Sequence, residues 1–292
     1  NPNSGASAVA LVGGEPIAWS ELSPVLAEAA GGMVLEEVAL DRLVERELRE
    51  RKLSISEAAI DQERQYLLDT MTRDIVRTGE QASDVIERVR RSRGLGNVRF
   101  TALLRRSAGL RALVRDGVTV SPVDLEIAFQ IRHGKRFRAR LILVRSELDA
   151  SGAIARLRGA DGRAPESFAT VASQVSIDSS ASRGGSVGLI SPVDPSFPEA
   201  VRGVVSSMAP GDISSPIALQ QGYAILTVDE VLAPDGAVME NVSAELEREV
   251  RLVREQSEMG KLGARLLKSV NVTPLDASLN WGWSAWRAQN EQ

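Results

Sequence analysis

Apolar residues recur at helical spacing through the first 133 residues of the chain. From Leu35 to Leu48 they fall three and four positions apart, which places them on one face of a helix. The tetrapeptide Ser121-Pro122-Val123-Asp124 combines an N-cap, an early proline and an acid, and predicts a helix that runs to about His133. Before these helices, a strand and a Gly13-Gly14 turn are predicted. The predicted strand spans 9–12, and further helices begin near Ser56, Ser83 and Asn97.

The pattern changes at Phe137, where apolar and basic residues alternate before the continuous apolar run that ends at Val144. This pattern predicts a strand. Further strands are predicted at 187–190, 213–219 and 223–231, and helices at 153–158, 166–175 and 198–205. Mixed short strands and helices of this kind are typical of an α+β domain. Beyond a linker at 233–236, a long helix is predicted over 241–267, followed by a tail with three tryptophans.

Composition excludes several classes of protein. Apolar residues make up 43% of the 292, enough for a core, and the net charge of −4 argues against a dedicated nucleic-acid binder. The absence of cysteine excludes disulfides, thiol catalysis and zinc–thiolate sites. No apolar run approaches the ~20 residues of a membrane span. The polar opening at 1–7 resembles a tether left after processing, although a cut fragment would begin in the same way.

Charge is distributed unevenly along the helical segment. Residues 1–70 carry a net charge of −7, and residues 71–120 carry +6. A solvated arginine face that pairs with the acidic first segment is the favoured interpretation, and acidic clients or an anionic membrane surface are the alternatives. Aromatic residues interleave poorly with the arginines, so binding to nucleic acid is not expected. The arginines are Arg88, Arg90, Arg91, Arg93, Arg105, Arg106 and Arg111.

The stretch from Ser176 to Phe197 contains Gly184-Gly185 and Gly188, and it is followed by Gly211 and Gly222. This ordered set resembles the parvulin (PpiC-type) family of peptidyl-prolyl cis/trans isomerases. The resemblance implies an isomerase fold that needs neither a metal nor a cofactor. Such a catalyst holds proline in an apolar slot and favours the twisted amide over the planar one.

The resemblance also implies a site. Asp178 matches the position of a Cys or Asp in the family, and Gln221 matches a hydrogen-bonding position. The two histidines of the family align to Leu141 and Ala224. An apolar slot is implied at Val187, Ile190, Val193 and Phe197.

Each assignment has a structural alternative. Phe197 is as well explained by a place in the core, and Asp178 by capping the turn through Ser179 and Ser180. The one histidine of the chain, His133, is expected on the surface of the fifth helix rather than in a catalytic site.

Outside the parvulin-like part, Gly14-Glu15-Pro16-Ile17 with Trp19 and Glu21 resembles the start of the SurA/PrsA-type chaperone module. The implied fold class is α+β, with a parvulin-like domain inserted between two helical chaperone segments. The expected domains are 1–134, 135–232 and 233–292, the last packing on the first. Its tryptophans would seal that core or bind clients.

The implied function is that of an extracytoplasmic folding factor, tethered or free. It would bind unfolded or extended polypeptide clients, including proline-containing segments, with weak or absent isomerase activity. An active isomerase and a non-catalytic assembly or scaffold subunit are the alternatives.

Overall fold

A computed structural model describes residues 8–73, 82–159 and 164–290 of the chain. Ile75 and Val76, which continue the helical apolar spacing of the segment after Ser56, and the opening at 1–7 lie outside these ranges. The chain divides into two compact units, one of Asn1–Thr119 with Val253–Gln292 and the other of Val120–Leu252. No helix in the described part of the chain is long and apolar enough to cross a membrane.

The first unit opens with an antiparallel hairpin whose turn is formed by Gly13 and Gly14 at positive φ. Helices follow, and Ser56 caps the second of them by accepting the Ala59 N–H at 3.2 Å, as the sequence predicts. The elements are β1 (Ala8–Val12), β2 (Glu15–Ala18), α1 (Trp19–Glu50), α2 (Glu57–Arg73), α3 (Ala82–Ser92) and α4 (Asn97–Val114). A 3-10 turn at Arg115–Gly117 ends this series.

Helix α1 begins at Trp19 rather than at Leu35. The sequence did not predict this extension because it contains Pro24, Gly31 and Gly32, and proline and glycine are poor helix formers. The two glycines face α10 (Ala277–Asn290), and a Cβ at Gly32 would lie 2.6 Å from the Cβ of Trp286. The extension is therefore part of a close contact between helices.

The core of this unit joins residues from both ends of the chain. Buried leucines of α1 and α4 pack with the second half of the long helix α9 (Met239–Lys268). A smaller buried cluster lies between α2 and α4. The larger core consists of Leu43, Val44, Leu48, Leu110, Leu113, Met259, Leu262 and Leu266.

A buried ion triad lies in the same unit. The Arg111 guanidinium donates to the carboxylates of Glu63 and Glu255, the latter at 2.7 Å, and stacks 4.8 Å from the Tyr66 ring. Further arginines reach the acidic first segment: Arg99 bonds Glu37 at 2.7 Å, Arg106 bonds Asp41 at 2.9 Å, and Arg105 lies 3.9 Å from Glu57. Part of the arginine-rich segment therefore pairs with the acidic one. The side chains of Arg106 and Arg111 are only 10% exposed rather than solvated, whereas Arg90 and Arg91 pair with Glu87 of their own helix.

The second unit is an α+β domain built on a four-stranded antiparallel sheet, in the order β4-β3-β6-β5. Its helix α5 starts with the predicted cap, in which Ser121 and Asp124 bond each other's backbone N–H groups. The elements are α5 (Pro122–His133), β3 (Arg136–Val144), α6 (Glu147–Arg158), α7 (Phe168–Val175), β4 (Ser186–Ile190), α8 (Glu199–Ser206), β5 (Ile217–Leu219) and β6 (Gly222–Leu232).

Both faces of the sheet carry a core. Ile142, Val144 and Ile225 pack against α6 and α7 on one face, and Leu141, Ala224 and their neighbours pack against α8 on the other. Because side chains alternate along a strand, consecutive residues of β3 serve the two cores.

The strand predicted at 213–219 is broken in the structure. Ile213 forms a single bridge to Thr227, and regular pairing resumes only at Ile217. Between them the Leu226 N–H bonds the Ser214 hydroxyl instead of a backbone carbonyl, and Pro216 has no N–H to donate. The prediction of one continuous strand was therefore wrong.

The border between the units falls at Thr119 and Leu252, whereas the sequence suggested 134 and 232. The first half of α9 is tied to α5, because Arg132 pairs with Glu245 at 2.8 Å and with Glu249 at 3.0 Å. His133 adds a hydrogen bond to Asp235, which joins the linker to the same helix end.

Candidate functional site

The two positions that the resemblance assigns to histidine lie side by side on the sheet. Leu141 of β3 is opposite Leu226 of β6, and Ala224 is opposite Leu143, so Leu141 and Ala224 are diagonal neighbours on one face. Both are buried in the cluster under α8, with exposed fractions of 8% and 0%. Neither side chain can form a hydrogen bond.

Strand β4 adds two of the predicted slot residues to this cluster. A register shift between Ala139 and Arg140 leaves Val187 as an extra residue, next to Gly188 at φ +82°. Such a bulge changes the alternation of side chains. As a result, Val187 and Ile190 both pack on the core that lies under α8.

The remaining slot residues divide between the cluster and the surface. Phe197 is half-buried and packs on the cluster, whereas Val193 is 38% exposed and lies outside it. Gln221 is exposed in the turn that precedes β6. Ile190, like Ala224, is fully enclosed, so both lie below the surface that a substrate would touch.

Asp178 caps a 3-10 helix at Ser179–Arg183. Its Oδ1 accepts the Ser180 N–H at 2.8 Å, and its own N–H donates to the Ser176 hydroxyl at 3.3 Å. The capping alternative is therefore what the structure shows. The carboxylate is half-buried.

The cluster under α8 consists of apolar side chains, including the thioether of Met208. The charged groups of the neighbouring strands pair with each other, Arg138 with Glu230 at 3.0 Å and Arg140 with Asp229 at 2.9 Å. The cluster therefore offers apolar contact.

A groove that the sequence did not indicate lies between α8 and the segment that leads into β5. Its volume is about 520 Å³. Two of its lining positions on α8 are small, since Gly203 has no side chain and Ala200 has only a methyl group. The lining residues are Ala200, Gly203, Val204, Ser214, Ser215, Pro216 and Ile217, none of which belongs to the predicted slot.

Comparison with protein families gives one match in this unit. Residues 145–230 match the family model described as the Rotamase, PPIC-type PPIASE domain. The matched segment covers Asp178, the bulged strand β4, helix α8 and Ala224, and it begins just after β3.

Among individual proteins, the chain is 23% identical over 257 residues to YacD of Bacillus subtilis (strain 168), whose name gives a provisional assignment as a peptidyl-prolyl cis-trans isomerase. That match covers 86% of this chain and 80% of YacD. The chaperone SurA of Aromatoleum aromaticum (strain EbN1) is 34% identical over 135 residues, which are 44% of this chain and 28% of SurA.

Among solved structures, PrsA from Bacillus anthracis is similar with a TM-score of 0.44 and 19% identity. The match covers 84% of this chain and 100% of that chain. The four-stranded sheet, the bulged glycine-rich strand and the family match thus agree on one conclusion: between its helical segments the chain carries a parvulin domain of the PpiC type, with leucine and alanine where the resemblance expects histidines.

Proposed function

We propose that this protein is an extracytoplasmic folding factor that binds extended or unfolded polypeptide segments and has weak or absent isomerase activity. One observation carries the second half of this proposal. The floor of the parvulin site, at Leu141 and Ala224, is closed and purely apolar.

Prolyl isomerisation has a barrier of about 18–20 kcal/mol that arises from amide resonance. A catalyst lowers this barrier only through contacts that are stronger to the twisted amide than to the planar one. Leu141 and Ala224 offer no hydrogen bond, and the Asp178 carboxylate already accepts a backbone N–H. The floor of the site therefore has no group that would respond to the changing amide, and one oxygen of Asp178 is already engaged.

Binding a polypeptide requires apolar contact surface, but it does not require contacts that favour the twisted amide. The groove beside α8 and the half-exposed Val187 and Phe197 provide apolar surface on the parvulin unit. Named relatives support a folding role, since SurA is named a chaperone and YacD is named for isomerisation. The extracytoplasmic location rests on the resemblance to SurA/PrsA-type factors.

A working isomerase is the second candidate, and the match of residues 145–230 favours it. In that case Val187, Val193 and Phe197 would hold the proline, Gln221 would bond the substrate backbone, and Asp178 would supply the polar contact. Desolvation by the apolar slot would then have to be sufficient for catalysis.

A protease-coupled cis/trans assay on a proline-containing peptide separates the two candidates. We expect a kcat/KM more than tenfold below that of a histidine-bearing parvulin, a difference of at least about 1.4 kcal/mol in barrier. In parallel, the protein should suppress aggregation of a chemically unfolded client at near-stoichiometric ratio. A kcat/KM within tenfold of the reference would favour the working isomerase, and failure to suppress aggregation would remove the chaperone role.

A further inference from the structure

The loop between β4 and α8 is irregular, and hydrogen bonds within it fix its shape. Residues 191–198 read Ser-Pro-Val-Asp-Pro-Ser-Phe-Pro, and the prolines have no N–H to donate. Asp194 organises the middle of the loop, because its N–H donates to the Ser191 carbonyl at 3.1 Å and its Oδ1 accepts the Ser196 N–H at 2.9 Å. The Phe197 N–H donates to the Asp194 carbonyl at 3.3 Å. These bonds lie inside the loop and do not attach it to the rest of the domain.

Arg202 of α8 attaches both ends of this loop to the helix. Its Nε donates to the Phe197 carbonyl at 3.1 Å, and its Nη1 donates to the Pro192 carbonyl at 3.2 Å. The planar guanidinium carries its donors in a fixed fork, so one side chain can hold two carbonyls at once. Hydrogen bonds from a charged donor are stronger than those between neutral groups, which makes Arg202 an effective attachment point.

The segment that Arg202 holds carries two of the predicted slot residues. Phe197 is half-buried and packs on the cluster under α8, and Val193 is 38% exposed. Val201, the residue before Arg202, is fully buried in the same cluster, so the backbone at this point of α8 is anchored in the core. The two hydrogen bonds of Arg202 therefore connect a fixed part of the core to the loop that presents Val193 and Phe197.

We infer that Arg202 is a positioning residue that sets the place of Phe197 and Val193 on the peptide-binding surface of the parvulin unit. It acts through the loop rather than by touching the peptide. Without its two bonds the loop exchanges among conformations, and the apparent affinity for peptide falls with the fraction of molecules that can bind. This inference rests on the proposed function, because it assigns a residue to the same binding surface.

The first test is fluorine NMR of the full-length protein. The chain has five phenylalanines, so labelling with 4-fluorophenylalanine gives five probes, and Phe197→Leu identifies the resonance of Phe197. Arg202→Met keeps the aliphatic stem and removes both donors. It should shift or broaden the Phe197 resonance and leave the other resonances in place. Arg202→Lys keeps the charge but lacks the fork, and should give an intermediate spectrum.

Arg138→Met is the matched control for the loss of an arginine. Arg138 lies in the same unit, and its guanidinium bonds Glu230 at 3.0 Å rather than the loop. This variant should keep the natural Phe197 resonance and the natural affinity for peptide. Urea unfolding of each variant checks that it is folded under the conditions of the NMR experiment.

The second test measures binding of a blocked, proline-containing tetrapeptide by titration against the same fluorine signals. Arg202→Met should weaken binding by about tenfold, the factor that corresponds to the loss of one hydrogen bond from a charged group. Arg202→Lys should recover part of this loss. If Arg202→Met does not fold, Arg202→Gln and Arg202→Lys provide the comparison.

A Phe197 resonance that Arg202→Met leaves unchanged, or a peptide affinity equal to that of Arg138→Met, would overturn the inference. The second of these results would remove Arg202 from the site and leave the proposed function intact. A natural protein that binds no peptide would instead remove the proposed function, and the Phe197 resonance would still decide whether Arg202 holds the loop.

Discussion

Arg111 joins carboxylates from distant parts of the chain. It donates to Glu63 of α2 and to Glu255 of α9, and all three residues are buried. Burial lowers the pKa of Arg111, but the hydrogen bonds and charges of the two glutamates outweigh it and hold that pKa above its usual value. The charge of the guanidinium is therefore permanent, and both carboxylates depend on it.

Replacement of Arg111 by Met should destabilise the protein by about 3–5 kcal/mol, because it leaves two buried carboxylates without a counter-charge. Arg105→Met is the control, since Arg105 is 58% exposed and lies 3.9 Å from Glu57, and surface pairs contribute at most about 1 kcal/mol. Urea unfolding followed by circular dichroism measures both. Equal losses for the two variants would contradict the role of the triad.

Asp235 lies in the linker before α9, and its contribution to the stability of the fold depends on pH. The hydrogen bond from His133, then that from the Ala237 N–H, holds the pKa of Asp235 below its usual 3.8. A carboxylate with a lowered folded-state pKa stabilises the fold at pH values above 3.8 and loses this effect as pH falls through the lowered value.

Asp235→Asn should accordingly lower the urea midpoint at neutral pH. The difference from the natural protein should shrink at pH values below the usual 3.8 and vanish below the folded-state pKa of Asp235. Unfolding curves across this acid range check the prediction. A difference that stays constant with pH would show that the charge of Asp235 does not stabilise the linker.

At the residue level, the sequence predicted those roles of side chains that depend on adjacent residues in the chain. The capping role of Asp178 follows from Ser179 and Ser180, and the structure confirms it. Burial of Ile190 and exposure of Val193 did not follow, because they depend on the bulge at Gly188 and on the path of the loop beyond it. Neither feature has a local signature strong enough to fix which slot residues reach the surface.

At the level of elements, helix α10 shows the limit of periodicity. The tail around Trp281, Gly282 and Trp286 has no regular apolar stripe, and Gly282 looks like a helix breaker. In the structure Gly282 lies against α1, where a Cβ would lie 3.3 Å from the Glu28 carbonyl oxygen. The residue that weakens the helix locally is the one that permits the contact, and local sequence does not reveal a partner so far away in the chain.

The tryptophans of this helix differ in burial. Trp286 is half-buried and donates to Glu36 at 3.0 Å, while Trp281 is 61% exposed. The sequence suggested that the tryptophans either seal the core or bind clients. Trp286 has the first of these roles. A client-binding role for Trp281 stays a prediction.

The same substitution at two glycines tests this packing. Gly32→Ala should destabilise the protein by about 1–3 kcal/mol, because its Cβ would meet Trp286 at 2.6 Å and overpack the contact. Gly260→Ala, in α9 with open space around it, should instead stabilise by up to about 1 kcal/mol.

Thermal unfolding measures whether each variant is stabilised or destabilised, and tryptophan emission reports whether α10 separates from α1. A red shift is expected for Gly32→Ala alone. Equal stabilities for the two variants would mean that α1 and α10 can separate without cost.

For the whole molecule, helical periodicity on both sides of an α+β segment was enough to predict the order of the segments. It was not enough to place the borders. These depend on ion pairs such as that of Arg132 with Glu245, which join residues remote in sequence. The remaining proposal is that the two ends form one folding unit, with the parvulin domain inserted between them.

Truncation after Leu232 tests this proposal, because it removes α9 and α10 together. Met259, Leu262 and Leu266 would leave the core formed with α1 and α4, and Glu255 would leave Arg111. Each lost leucine corresponds to a cavity that costs about 2–5 kcal/mol, comparable to the total stability of a domain of about 5–15 kcal/mol. The truncated chain should therefore expose apolar faces, lose helicity beyond the deleted residues, and become less soluble.

The fragment 120–252 is the matched control, because it keeps α5 with the first half of α9 and all four strands of the sheet. It should remain soluble and unfold cooperatively. Circular dichroism and size-exclusion chromatography of both proteins, with the fragment 1–134 alongside, measure the outcome. A fragment 1–134 that is monomeric, stable and fully helical would show that the N-terminal helices need no C-terminal partner, and the domain would then be adjacent to the parvulin unit rather than interrupted by it.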